Sequence, residues 1–173
     1  MHRILDLLRA LTEADVDYVV VGGVAVVLQG HIRTTVDLDL ALEMSTDNVS
    51  AVLTVLESQG LRPRLPVPAE QFADPAIRDT WVTERNRIAF TLHDPADALR
   101  EVDLLATTPV SFAELKAGAD LIHVDGVAVP VASVEHLIAM KRSSGRPQDL
   151  ADVAALSALS GAPIVEGDDD CID

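Results

Sequence analysis

Apolar residues first recur at helical spacing. Ile4, Leu7, Leu8 and Leu11 fall on one face, which predicts a helix over residues 3–14. Asp17 to Val21 (DYVVV) is a short β-branched run that reads as a buried strand, ended by Gly22-Gly23. Val24 to Gln29 then starts a helix that stops at Gly30. Thr35 to Glu43 (TVDLDLALE) alternates polar and apolar positions, the period of a strand. Ser45 or Thr46 can cap the next helix, whose buried face holds Val49, Val52, Leu53 and Leu56.

The pattern breaks over residues 62–86, where Pro63, Pro66, Pro68 and Pro75 predict a long loop with at most a short helix, anchored by Trp81. Strands are expected at Arg87–His93 and Arg100–Ala106 around an Asp94-Pro95 turn, and a short helix at 111–117. Leu121–Val124 and Val127–Val131 form a hairpin at Asp125-Gly126. Two helices follow, about 133–142 and 147–159, and the acidic end, 162–173, reads as a frayed tail. With 173 residues and no internal repeat, the expectation is one domain over 1–161.

Composition narrows the classes. No apolar run approaches the ~20 residues of a membrane span. The N-terminus does not read as a secretory signal, and the single Cys171 cannot form a disulfide within the chain, so a cytoplasmic setting is the plain expectation. The net charge is −15, from 13 basic and 28 acidic residues, which disfavours extended nucleic-acid binding because phosphate neutralisation dominates that affinity. At 3%, aromatics are also too few for single-strand stacking platforms. The five histidines (2, 31, 93, 123, 136) lack zinc spacing.

The chemistry concentrates in Val19 to Leu42, VVVGGVAVVLQGHIRTTVDLDLAL. Glycines let a backbone approach a phosphate, and free N–H groups at a helix start attract it. On a strand, residues two apart face one way, so Asp37 and Asp39 present two carboxylates together. Such a pair suits a hard cation such as Mg2+. The plainer alternative is a solvent-facing pair on an edge strand. Neither a dinucleotide-binding Gly-x-Gly-x-x-Gly nor a phosphate-binding Gly-Lys-Ser/Thr is present.

Gly22-Gly23, the spacer and Asp37-Leu38-Asp39 resemble the signature of the polymerase-beta nucleotidyltransferase superfamily. The resemblance implies an α+β fold, a mixed β-sheet flanked by helices with C-terminal helices packed against it. It also implies Asp37 and Asp39 as ligands of two Mg2+ ions, with a third carboxylate from a later strand as ligand or general base. Asp103 in Glu101-Val102-Asp103 is the candidate, with Glu101 on the same face. Many members carry serine where this chain has Gly23. Gly22, Gly23 and Arg33 would lie at the nucleotide; Arg33 could equally balance Asp37.

Lys141 continues the stripe of Val134, Leu137 and Ile138, so it either snorkels to water or reaches into a charged site. Lys141 to Asp152 (KRSSGRPQDLAD) is similar to the branch of abortive-infection toxin nucleotidyltransferases and their short relatives. That similarity implies Lys141 as a triphosphate contact and Asp149 as a supporting residue. Asp149 and Asp152 could also be no more than acidic residues suited to a helix start. Arg78, Arg85 and Arg87 either face substrate or are scattered surface charges.

The expected function is Mg2+-dependent transfer of a nucleoside monophosphate from a nucleoside triphosphate to a hydroxyl of RNA, protein or a small molecule, with a toxin–antitoxin pair as one setting. The alternatives are a degenerate transferase module acting through a protein partner, and a nucleotide hydrolase.

Overall fold

The computed structural model describes residues 2–85 and 89–161. Arg87 and the tail 162–173 with Cys171 lie outside them. The architecture is α+β, a seven-stranded mixed sheet carrying eight helices among the described residues.

The helix α1 (His2–Glu13) buries Leu5, Leu7, Leu8 and Leu11, and β1 (Tyr18–Val21) is buried throughout. The helix α2 (Gly22–Leu28) follows without an intervening loop. The strand β2 (Leu38–Leu42) is shorter than the alternation predicts: Thr35 to Asp37 precede its first paired residue. The helix α3 (Thr46–Ser58) begins at Ser45, whose side chain accepts from Asn48 N–H, and it buries Val49, Val52, Leu53 and Leu56.

The structure corrects the reading of residues 62–86 as a loop over its described part, 62–85. They hold a two-residue strand β3 (Arg62–Pro63), a short helix α4 (Glu70–Ala73) and an eleven-residue helix α5 (Pro75–Arg85). Pro75 opens α5, where a fixed φ and a missing N–H cost nothing. Asp74 Oδ1 accepts from the N–H groups of Ala76 (2.8 Å) and Ile77 (3.3 Å), the geometry of a helix cap. Trp81 is therefore a helical core residue rather than a loop anchor. It stacks on Phe90 at 5.6 Å between ring centroids, and Phe90 stacks on Phe72 at 4.9 Å. Arg78 is not a surface charge. It is buried and donates to the carbonyls of Phe72 (2.8 Å) and Met44 (2.9 Å), tying α4 and the end of β2 to α5.

The remaining elements are β4 (Ala89–Asp94), β5 (Asp97–Leu105), α6 (Phe112–Ala117), β6 (Asp120–Val124), β7 (Val127–Val131), α7 (Val134–Ser144) and α8 (Pro147–Ser160). Asp125 and Gly126, with φ of 47° and 79°, make the tight turn of the β6–β7 hairpin. Strand order is β3-β4-β5-β2-β1-β7-β6. Thus β2 is an interior strand, antiparallel to β1 and parallel to β5, which removes the edge-strand reading of its acidic residues. The helix α7 packs on α2 and on α8.

Candidate functional site

The antiparallel register of β1 and β2 sets Val21 opposite Asp39, so the chain turns into α2 directly beside the Asp39 carboxylate. Gly22 makes that turn with φ +63°. A Cβ there would fall 1.9 Å from Asp39 Oδ2, so both conformation and space demand glycine. The Gly23 N–H points to the same oxygen at 3.4 Å. A Cβ at Gly23 would lie 2.3 Å from Thr35 Oγ1 and 2.6 Å from Arg33 Nη2. Serine, the common residue at this place in the family resembled, is crowded out, but Thr35 brings a hydroxyl to the same spot from the following loop.

The parallel register of β2 and β5 puts Asp39 next to Asp103. Both are half-buried; Asp37, one residue before β2, is exposed. Burial, with the neighbouring Asp103 charge, pushes the Asp39 carboxyl up to about 6. Gly23 N–H opposes that shift, Asp37 adds to it, and Lys141 opposes it. Glu101 is also raised, first by burial, although Arg64 forms an ion pair with it. Among the described residues, no three His, Cys, Asp or Glu side chains converge as a ready-made metal-ligand group. The core of the arrangement is the Asp39–Asp103 pair, with Asp37 at its exposed border.

Thr91 faces Asp103 across the β4–β5 register, and its hydroxyl donates to Asp103 Oδ1 at 2.5 Å. That bond fixes one carboxylate oxygen and leaves Oδ2 for other partners. Thr91→Val keeps the shape and removes the donor. We expect about a tenfold loss of kcat, with little change in thermal midpoint, because a partner that orients a working group typically carries about 10- to 100-fold. Steady-state kinetics beside a melt checks this.

An acid whose folded pKa exceeds its unfolded one holds more protons in the folded state between those values. Stability from Asp39 is therefore present at low pH and lost as pH rises from the ordinary 3.8 through about 6. In metal-free protein, Asp39→Asn should flatten this slope and melt higher than the native chain above pH 6. Thermal melts across pH 4–8 test it, and an unchanged slope refutes the burial assigned to Asp39.

A second charged cluster adjoins the turn, with Arg33 Nη2 beside Gly23. Lys141 is buried, its Nζ 2.9 Å from Asp149 Oδ1 and 2.7 Å from Asp152 Oδ2. It thus reaches into a charged cluster rather than snorkelling. Burial pushes the Asp149 carboxyl up, but bonds from the Ser144 hydroxyl (2.6 Å) and Lys141 outweigh it and hold Asp149 below its ordinary value. Arg33 places Nε 3.2 Å from Asp152 Oδ1 and donates from Nη1 to its neighbour's carbonyl, Thr34 O. It pairs with Asp152, not with Asp37. The structure thus gathers Gly22, Gly23, Arg33, Asp39, Asp103 and Lys141 around one turn, with Asp37 at the rim and Asp149 behind Lys141.

One residue of this neighbourhood does not stand out in the sequence, and another shows there only as an acidic residue near a helix start. Thr91 is one threonine in an alternating strand, and only the cross-strand register reveals it. Asp152 sits three residues after Asp149 on α8, so the two share a face; that spacing was the one available signal.

No protein-family model matches the chain, and no curated protein does. Solved structures do. The solution structure of the antibiotic-resistance factor ANT(2'')-Ia superposes with a TM-score of 0.60 at 15% identity, over 91% of this chain and 82% of that one. Its crystal structure in complex with adenylyl-2''-tobramycin gives 0.59 at 16%, over 90% and 86%. The lincosamide antibiotic adenylyltransferase LnuA, lincomycin-bound, gives 0.58 at 14%, over 91% and 96%. With a sheet and helices matching these proteins along most of its length, the chain has the nucleotidyltransferase fold.

Proposed function

We propose that this chain transfers a nucleoside monophosphate from a nucleoside triphosphate to a hydroxyl of a small molecule. The observation that carries the reading is the in-register Asp39–Asp103 pair beside the Gly22 turn, with Asp39 raised to about 6 by burial and by its acidic neighbour. Crowded, partly desolvated carboxylates are relieved by a dication, and an all-oxygen donor set suits Mg2+. Asp39 and Asp103 would hold the metal, with Asp37 joining from the solvent side. When bound, Mg2+ supplies charge stabilisation for the attacking and leaving oxygens.

The chain's own residues do the rest. The Gly22-Gly23 backbone would let phosphate approach close to Asp39, with Arg33 beside Gly23 and Lys141 within electrostatic reach of Asp39 as the nearby cations. With Oδ1 held by Thr91, Asp103 keeps Oδ2 free to take the proton of the acceptor hydroxyl. That hydroxyl's oxygen bonds to the α-phosphorus, the bond from phosphorus to the bridging oxygen breaks, and pyrophosphate leaves. Orientation and charge placement supply most of the acceleration for such a transfer.

The acceptor class rests on charge and on likeness. A net charge of −15 and 3% aromatics disfavour RNA. Two of the similar structures carry antibiotics or an adenylylated antibiotic in their names, and this chain spans most of each. These points favour a small molecule over the RNA or protein acceptor that the toxin-branch resemblance implies, and over a toxin–antitoxin role.

The test is to incubate the protein with each nucleoside triphosphate, Mg2+ and a panel of hydroxyl compounds including tobramycin, lincomycin and simpler aminosugars. Pyrophosphate release that depends on the acceptor, with a product heavier by one nucleoside monophosphate, is the expected result. Label on RNA or on protein would overturn the acceptor class. Free nucleoside monophosphate as the sole product would make the chain a hydrolase.

A further inference from the structure

Asp152 is the most deeply buried charged residue described, with 0% exposure, and it lies on α8, outside the acidic pair. Such a carboxylate is tolerated only when its surroundings compensate it. Here compensation comes from two cations on separate elements. Oδ2 is 2.7 Å from Lys141 Nζ on α7, and Oδ1 is 3.2 Å from Arg33 Nε on the segment joining α2 to β2. Gln148 Nε2 donates weakly to Oδ1 at 3.4 Å, and His31 Nε2 stands 4.0 Å away. Arg33 meets Asp152 through Nε, and its Nη2 lies against Gly23, within 2.6 Å of where a Cβ would be. One end of the guanidinium thus faces a buried anion, as an ion pair without a hydrogen bond at Nε, while the other borders the turn beside Asp39. Lys141 is held between Asp149 and Asp152, within electrostatic reach of Asp39.

We propose that Asp152 is the positioning residue of the nucleotide site: a buried carboxylate that seats Arg33 and Lys141 from two different elements so that both present their charge to the triphosphate beside Gly23. This rests on the nucleotidyltransferase reading above and adds to it a residue that touches neither substrate nor metal. Without Asp152 the two cations would repel one another at a shared buried position. Arg33, on a segment with no regular structure, would lose the contact that orients its fork. A residue acting in this way governs how tightly nucleotide binds more than how fast bound nucleotide reacts.

Calorimetric titration of ATP with Mg2+, on the native protein, Asp152→Asn, Arg33→Lys and the double variant, tests it, with thermal melts to establish folding. Asp152→Asn should weaken ATP binding by about 10- to 100-fold, the range for removing a group that orients a ligand-binding residue. Arg33→Lys keeps the charge but cannot both reach Asp152 and border Gly23, so it should weaken binding about tenfold. The double variant should be no weaker than the weaker single one, because both changes break the same contact. In kinetics the effect should fall on KM, with kcat changed less. Should Asp152→Asn fail to fold, Arg33→Lys alone decides, since it keeps the charge on a segment outside the helices and strands: native-like binding there overturns the proposal. A folded Asp152→Asn that binds ATP within about twofold of native, or strictly additive losses, also overturns it while leaving the nucleotidyltransferase reading intact. A native protein that binds no nucleotide overturns both.

Discussion

Asp39→Asn should abolish measurable nucleotidyl transfer while leaving the protein folded, and above pH 6 more stable than the native chain. Asp39 sits between the Gly22 turn and Asp103, half-buried, with its carboxyl raised to about 6. Replacing one carboxylate oxygen by an amide changes little in volume, so the fold has no reason to fail. It removes one of two carboxylates set side by side on β2 and β5, the crowding that a dication would relieve. Removing one electrostatic stabiliser from a transfer site commonly costs about 10²- to 10³-fold in kcat, and we expect the upper end here. Pyrophosphate release and a thermal melt on the same preparation check both halves. Activity within tenfold of native would place the chemistry elsewhere. A lower melting temperature with lost activity would mean that Asp39 serves the fold.

Gly22→Ala carries the second large effect, and it should remove stability and activity together. Gly22 adopts φ +63°, which costs a residue with a side chain roughly 1–2 kcal/mol. The added Cβ would also fall 1.9 Å from Asp39 Oδ2 and 2.8 Å from Asp39 Cβ. Asp39 is on an interior strand paired on both sides, so it cannot move away without disturbing β1 or β5. Either the turn shifts or the carboxylate leaves the position it shares with Asp103. The combined loss should be about 2–4 kcal/mol, near the larger values for single substitutions, with transfer reduced at least a hundredfold. Chemical denaturation and activity at a temperature where the variant is still folded separate the two losses. Native-like stability would contradict the left-handed turn.

Much of the frame around the turn was legible in the residues themselves. The β-branched run of β1, the two glycines and the alternation through Asp39 follow local rules of period and turn chemistry, and the structure builds strand, turn and helix there, although β2 begins only at Leu38 and leaves Asp37 outside it. The buried faces of α1 and α3 were equally plain, as was the Asp125-Gly126 hairpin. Residues 62–86 were not. Four prolines there suggested a break, whereas Pro75 starts a helix and Pro63 sits in a short edge strand, both places where proline is tolerated. The buried roles of Arg78 and Trp81 depend on that helix and could not be seen without it. The roles of Asp152 and Thr91 were hidden for another reason. Each gains its partner from chain distant in sequence, Arg33 in one case and Asp103 in the other, and no local pattern records a contact of that kind.

The most direct test of the central claim is calorimetric binding of ATP and the other nucleoside triphosphates, with and without Mg2+, to the native protein and to Asp37→Ala/Asp39→Ala. Binding that requires both the metal and the carboxylates is the predicted result. Absence of binding by the native protein, or binding that survives loss of both aspartates, would contradict it.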